Sequence, residues 1–379
     1  MKIESNQDIT VIYDIPSIDL WDNQVLNYEV ASLVDALPLF LLAEELKKLG
    51  YKVLTADKFL ESGNFDGINL MITETETKYT SCLISSGCIP AICYCCESPL
   101  VIPQYYHNLQ TKAGKFKHSF LFKGAIGSNS SIFTKQHILY WTNSKNSINT
   151  DIPWEDRKFL TLINSNKYSS KICHISKIAD IIIWLKIVLR YCLNWKAFHT
   201  FPGNIPDFYN TRIEALLYFS RNKNFDLYGQ GWNNNIMGVS QKYQLLIQKS
   251  FRGKLPRGNS KKQEILKNYK FALCFENTEF PGYITEKIFD CILCGTIPIY
   301  LGAPDINEFI PKDVFIDFNQ FETFDELEQY LVNMTIEESN GYMSAAHDFV
   351  NSSSYEKYYL SGWHKSILQA LQEVIQENK

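Results

Sequence analysis

The residues of this chain best suited to chemistry lie between positions 271 and 302, in the run FALCFENTEFPGYITEKIFDCILCGTIPIYLG. An apolar strand delivers the chain to a polar loop at 276–282. A helical stretch over 283–294 follows, with Tyr283, Thr285, Glu286 and Lys287 in its first turn, and then a glycine stop and a second apolar strand. The N–H groups at a helix start point outward, and the positive end of the helix dipole favours an anion there. With the ammonium of Lys287 beside them they make a site for a diphosphate and for its charge as it leaves. Ile284, Ile288, Cys291 and Ile292 repeat at i, i+4, i+7 and i+8, so one helix face is buried against a sheet, and Gly295 permits the C-terminal turn. Taken alone, the same residues also fit an ordinary solvated Glu286–Lys287 pair, since an acid in a first helical turn is favourable by itself.

A second group stands elsewhere in the sequence. Glu97 ends the apolar strand 89–96 and precedes Ser98-Pro99, where the chain must leave the strand. Its carboxylate would point from a strand end into a cleft; the bland alternative is a carboxylate capping the next turn. Arg212 opens a helical run over 212–220, where it is either a ligand for phosphate or a surface charge.

These groups need elements to position them. Short β-rich runs at 9–13, 51–55, 68–73 and 89–94 alternate with helical ones, the pattern of a parallel sheet flanked by helices. A helix is expected over 32–49, with Leu33, Leu37, Phe40, Leu41 and Leu49 at helical spacing before Gly50. A polar Asn- and Ser-rich stretch over 128–156 marks a boundary. Strands then recur at 159–163, 225–228, 271–275 and 296–300, with a loop at 201–206 and helices over 324–332 and 366–376. The fold class is α/β, with two doubly wound units and ligands beyond the carboxyl ends of the strands.

Composition excludes several roles. The 379 residues carry a net charge of −4, with no basic footprint for nucleic acid. The opening residues mix charge with apolar side chains and show no secretory signal, so a cytoplasmic protein is expected. The apolar run 178–193 is interrupted by Asp180, Lys186 and Arg190, so it reads as a helix that docks on the protein or lies on a membrane surface, at the inner face. Most of the ten cysteines are expected to be reduced, and Cys93, Cys95, Cys96, Cys291 and Cys294, which lack the usual zinc spacings, fit buried thiols.

The segment 271–302 closely resembles the nucleotide-sugar motif of the α-1,3/α-1,4-fucosyltransferase family: Phe-Glu-Asn-Ser/Thr, then Tyr-x-Thr-Glu-Lys, then a small-residue Ile/Val-Pro-Ile/Val strand. "LTLINSNK" at 160–167, Arg212 with "ALLYF", "FDLYGQGW" at 225–232 and the "ESP" at 97–99 extend the likeness. The resemblance implies a GT-B scaffold, with two Rossmann-like domains facing across a cleft, and inverting transfer from GDP-β-L-fucose. It gives Lys287 and Arg212 the diphosphate and Glu286 the ribose. Tyr283, Asn277 and Asn166 would line the donor pocket, and Glu97 would be the base. It sets an acceptor domain at 1–156 and a donor domain at 157–379, with the last helix packing back on the first. The implied partners are GDP-fucose and a glycan, an oligosaccharide or surface polysaccharide containing N-acetylglucosamine. Without an Asp-x-Asp triplet, turnover is expected to need no divalent metal. The alternatives are a transferase of another nucleotide sugar and a catalytically silent nucleotide-sugar binder. The membrane anchor of vertebrate members and the heptad-repeat tail of some bacterial ones are not expected here, and the region 171–207 has no clear match to the family.

Overall fold

The computed structural model describes residues 9–34, 36–126, 134–143, 145, 147–148, 151–167, 178–196, 206–234, 236, 239–255 and 259–378. Most of the expected loop at 201–206, and part of the unmatched region 171–207, fall outside them.

The chain divides into two compact units. The first takes in Met1–Glu97, Gln104–Ser144 and Glu356–Lys379; the second takes in Ser98–Pro103 and Lys145–Tyr355. The last helix thus falls in the first unit, and the second takes its main body from residue 145 onward.

Six strands build the sheet of the first unit: β1 (Ile9–Asp14), β2 (Lys52–Thr55), β3 (Ile68–Glu74), β4 (Ile89–Tyr94), β5 (His118–Leu121) and β6 (Lys135–Ile138). Their order is β2-β1-β3-β4-β5-β6, and every pairing is parallel. Both faces of such a sheet are covered, so its strands read as near-continuous apolar runs rather than alternating ones. Val11, Ile12, Leu70, Met71, Ala91 and Ile92 are all fully buried.

The expected single helix over 32–49 is two helices, Tyr28–Leu33 and Leu37–Lys48. Pro38 explains the break: a proline lacks the N–H that a helix interior needs but fits the first turn, where the second helix places it. The final helix is longer than expected, Leu360–Glu377, and packs on β4. His364 ties it to the helix Leu37–Lys48 through Glu45 Oε1 at 2.9 Å and the Pro38 carbonyl at 3.0 Å.

The second unit repeats the plan with β7 (Lys158–Ile163), β8 (Phe225–Tyr228), β9 (Phe251–Gly253), β10 (Tyr269–Phe275), β11 (Ile297–Leu301) and β12 (Ile316–Asp317). The order is β12-β11-β10-β7-β8-β9, again all parallel. From β7 the chain builds outward to β8 and β9 on one side and to β10, β11 and β12 on the other. The carboxyl ends of β7 and β10 therefore flank the topological switch point, where open α/β sheets bind ligands. The core beneath joins Leu160, Leu162, Leu216, Phe219, Phe225, Phe271, Phe275, Ile297 and Ile299.

No described helix is long and apolar enough to cross a membrane. The nine described cysteines are free thiols. Cys93 bonds Ser119 Oγ at 3.2 Å, and Cys274 and Cys291 lie sulfur to sulfur at 3.2 Å. Among the described residues no group of three or more His, Cys, Asp or Glu is placed to hold a metal ion.

Candidate functional site

β10 ends at Phe275, and the next residue, Glu276, extends it by donating its N–H to the Leu301 carbonyl of β11. The Glu276 side chain is fully buried. One carboxylate oxygen accepts from the Thr285 N–H at 2.8 Å, both accept from the Thr285 hydroxyl at 2.9 Å, and Oε2 meets Lys287 Nζ at 2.8 Å. Lys287 Nζ also donates to Thr285 Oγ1 at 2.8 Å. A buried carboxylate is costly unless fully paired, and these bonds pair it while fixing the ammonium against the strand end.

This corrects the expected helix start. The helix runs Glu286–Leu293 with Thr285 as its N-cap, so Tyr283 and Ile284 precede it. Glu276 takes the Thr285 N–H, and Gly282 turns the chain at φ 72° with its own N–H on Asp305 Oδ1 at 2.8 Å. An internal carboxylate thus already occupies part of the entrance that the sequence offers to phosphate. The Glu286–Lys287 pair is not an ordinary solvated one: Lys287 is largely enclosed, Glu276 is its closest acid at 2.8 Å, and Glu286 pairs with it more loosely at 3.7 Å.

Glu286 and Asp290 occupy one helix face, one turn apart. Lys262, from the helix Asn259–Leu266, reaches Asp290 Oδ2 at 2.6 Å and Glu286 Oε1 at 3.7 Å. Burial alone would raise the pKa of Glu286, but Lys287 and Lys262 outweigh it and pull the group down to about 2. Burial dominates at Asp290 and raises its pKa despite Lys262.

Arg212 stands in the helix Tyr209–Phe219 and is 2% exposed. Its Nη2 donates to the Phe275 carbonyl at 2.6 Å and to Asn277 Oδ1 at 3.1 Å, and the guanidinium lies 5.1 Å from the centre of the Tyr209 ring. Nε and Nη1 are buried with no partner. Leaving these two cationic nitrogens dry costs free energy, which an accepting group placed against them would relieve. Burial lowers its pKa, and Tyr209 and Glu276 act in the opposite direction. Asn277 Nδ2 donates to the Tyr283 hydroxyl at 3.3 Å. Arg212, Asn277 and Tyr283 are therefore joined at the end of β10, beside Glu276 with Lys287.

Asn166 follows β7. Its N–H bonds the Gln230 carbonyl at 2.9 Å and its Nδ2 the Gly231 carbonyl at 3.2 Å, leaving Oδ1 buried and unpaired. A side chain at Gly229 would put its Cβ 1.9 Å from the Asn164 carbonyl oxygen, which with φ +128° explains that glycine.

Glu97 belongs to the first unit, three residues past the end of β4, and is exposed. Its carbonyl accepts from the Tyr106 hydroxyl at 2.9 Å. On the neighbouring strand, Glu74 ends β3 in register with Tyr94. Burial, helped by the charge of Glu97, pushes its pKa up to about 7.

Sequence reasoning named neither Glu74, Lys262 nor Asp290 and gave Glu276 no role. Signals existed for two of them. Glu286 and Asp290 are four residues apart on one helix face and need a cation, and Glu74 follows an apolar strand just as Glu97 does. Nothing in the sequence marks Lys262 as that cation.

Residues 208–368 match the model described as glycosyltransferase family 10 (fucosyltransferase), C-terminal. An α-(1,3)-fucosyltransferase of Helicobacter pylori is 46% identical over 83 residues, 22% of this chain and 17% of that protein. A 3-galactosyl-N-acetylglucosaminide 4-α-L-fucosyltransferase of Bos taurus is 34% identical over 131 residues, 32% of this chain and 35% of that protein. The chain thus spans about a third or less of the length of these curated relatives. In fold, an α1,3-fucosyltransferase crystallised with GDP aligns over 99% of this chain and 93% of its own, with a TM-score of 0.51 at 16% identity. The pair of six-stranded parallel sheets is accordingly of GT-B type, and residues 208–368 are similar to the C-terminal part of the family 10 fucosyltransferases.

Proposed function

We propose that the protein transfers L-fucose from GDP-β-L-fucose to a hydroxyl of a glycan acceptor, with inversion at the anomeric carbon. The observation that carries this reading is the dry, half-satisfied guanidinium of Arg212 beside Lys287 at the carboxyl end of β10, inside the family match. Arg212 and Lys287 would hold the diphosphate. Glu286, kept ionised by two lysines, would accept from ribose hydroxyls, and Asn277, Tyr283 and Asn166 would line the donor pocket.

In the reaction the acceptor oxygen attacks C1 of fucose as the bond from C1 to the GDP oxygen breaks. The acceptor proton passes to the Glu97 carboxylate, and GDP departs with its added charge met by Arg212, Lys287 and backbone donors. Those cations support turnover without a divalent ion, so activity should survive EDTA. On this reading the first unit receives an acceptor containing N-acetylglucosamine, for an α-1,3 or α-1,4 linkage.

The donor is tested by thermal shift with GDP, GDP-fucose, GDP-mannose and UDP-sugars. GDP and GDP-fucose should stabilise the protein, by about 3 kcal/mol at a hundredfold excess over Kd. Stabilisation by UDP-sugars alone would replace the donor with another nucleotide sugar.

A further inference from the structure

The helix Ile178–Leu193 plays no part in the site described above. Along it Ile181, Ile182, Leu185, Leu189 and Leu193 form one stripe at helical spacing, and with Trp195 just beyond they are 42–69% exposed. None of the described side chains from 181 to 196 is buried. A soluble surface rarely carries so continuous an apolar stripe unless something covers it.

The charges beside the stripe indicate what that is. From 178 to 196 the sequence carries Lys186, Arg190 and Lys196 against the single acid Asp180, a net charge of +2. Arg190 donates to the Leu100 carbonyl at 2.8 Å and the Val101 carbonyl at 3.1 Å, which fastens the helix to residues 98–103 of its own unit. Lys186 and Lys196 are exposed. Two such helices packed together would set one net positive charge against another. An anionic lipid surface instead offers apolar depth to the stripe and opposite charge to its rim, and indole rings settle at that boundary.

We propose that this helix lies in the interface of an anionic membrane, with Ile182, Leu185, Leu189 and Leu193 in the acyl region and Lys186 and Lys196 on lipid phosphates. The device is peripheral and does not depend on the fucosyltransfer reading, so neither proposal's failure bears on the other.

The test is co-sedimentation of the whole chain with vesicles of phosphatidylcholine alone and of an equal mixture with phosphatidylglycerol. Light scattering in lipid-free solution runs beside it, and circular dichroism confirms that each variant is folded. Binding should require phosphatidylglycerol and weaken with salt. It should fall on the order of tenfold in Lys186→Gln/Lys196→Gln and on the order of a hundredfold or more in Leu185→Glu/Leu189→Glu. Three results would overturn the proposal: no binding to the anionic vesicles, binding that both double variants retain, or a lipid-free dimer that Leu185→Glu/Leu189→Glu turns into monomer, which would assign the stripe to a second copy of the chain.

Discussion

Replacing Lys287 by methionine removes the ammonium 2.8 Å from the Glu276 carboxylate, whose side chain is wholly enclosed. At an effective dielectric of ~20 the bare attraction at that distance is about 6 kcal/mol, and desolvation of both ions cancels much of it. Removing one partner nevertheless leaves a charge stranded, which typically costs about 3–5 kcal/mol. Thr285 continues to donate from its N–H and hydroxyl, so the lower end applies, about 3 kcal/mol. Glu276→Gln in the Lys287→Met background removes the stranded charge and should restore about 2 kcal/mol of it. Urea unfolding, followed by tryptophan fluorescence that includes the buried Trp232, measures all four corners of the cycle. A coupling below about 0.5 kcal/mol would refute the pairing. The double variant also separates two roles of the lysine: stability should return while GDP affinity stays low.

Arg212→Met should weaken GDP by at least about tenfold, since charged hydrogen bonds are worth about 1.5–3 kcal/mol each, and calorimetric titration with GDP measures it. Gly302→Ala would set a Cβ 2.3 Å from the buried Tyr300 hydroxyl and 2.7 Å from Glu276 Cγ; a loss of about 2 kcal/mol in urea unfolding is expected, and an unchanged midpoint would contradict it. Glu74 holds its proton to about pH 7 in the fold, against an ordinary 4.5. The folded state therefore binds more protons than the unfolded chain between those values, and stability falls as pH rises through that window and levels off above it, by at most about 3 kcal/mol before solvent screening. Urea midpoints from pH 4.5 to 8 should flatten in Glu74→Gln; the same slope in both proteins would remove Glu74 as the cause.

Most of the parallel-sheet plan was legible because buried parallel strands are written as uninterrupted apolar runs, as at 89–94 and 271–275. What escaped has local causes. Pro38 lies inside the periodic stretch 32–49, and its missing N–H fits the first turn of a new helix. The short strands His118–Leu121 and Lys135–Ile138 carry His, Lys and Gln, and pairing with neighbours, not composition, makes them strands. In the site, Arg212, Asn277, Tyr283 and Lys287 could be named from the motif. Their arrangement hinges on Glu276, whose burial no spacing reveals, and on Lys262, which arrives from a separate helix.

Acceptor-dependent release of GDP from GDP-fucose, measured for the native chain and for Glu97→Gln with pooled glycans containing N-acetylglucosamine, tests the central claim most directly. Release is expected from the native chain and should drop by about 10²–10⁴ in the variant, with GDP affinity unchanged. A folded, GDP-binding native chain that releases no GDP with any acceptor, or a Glu97→Gln variant that turns over at the native rate, would contradict the account.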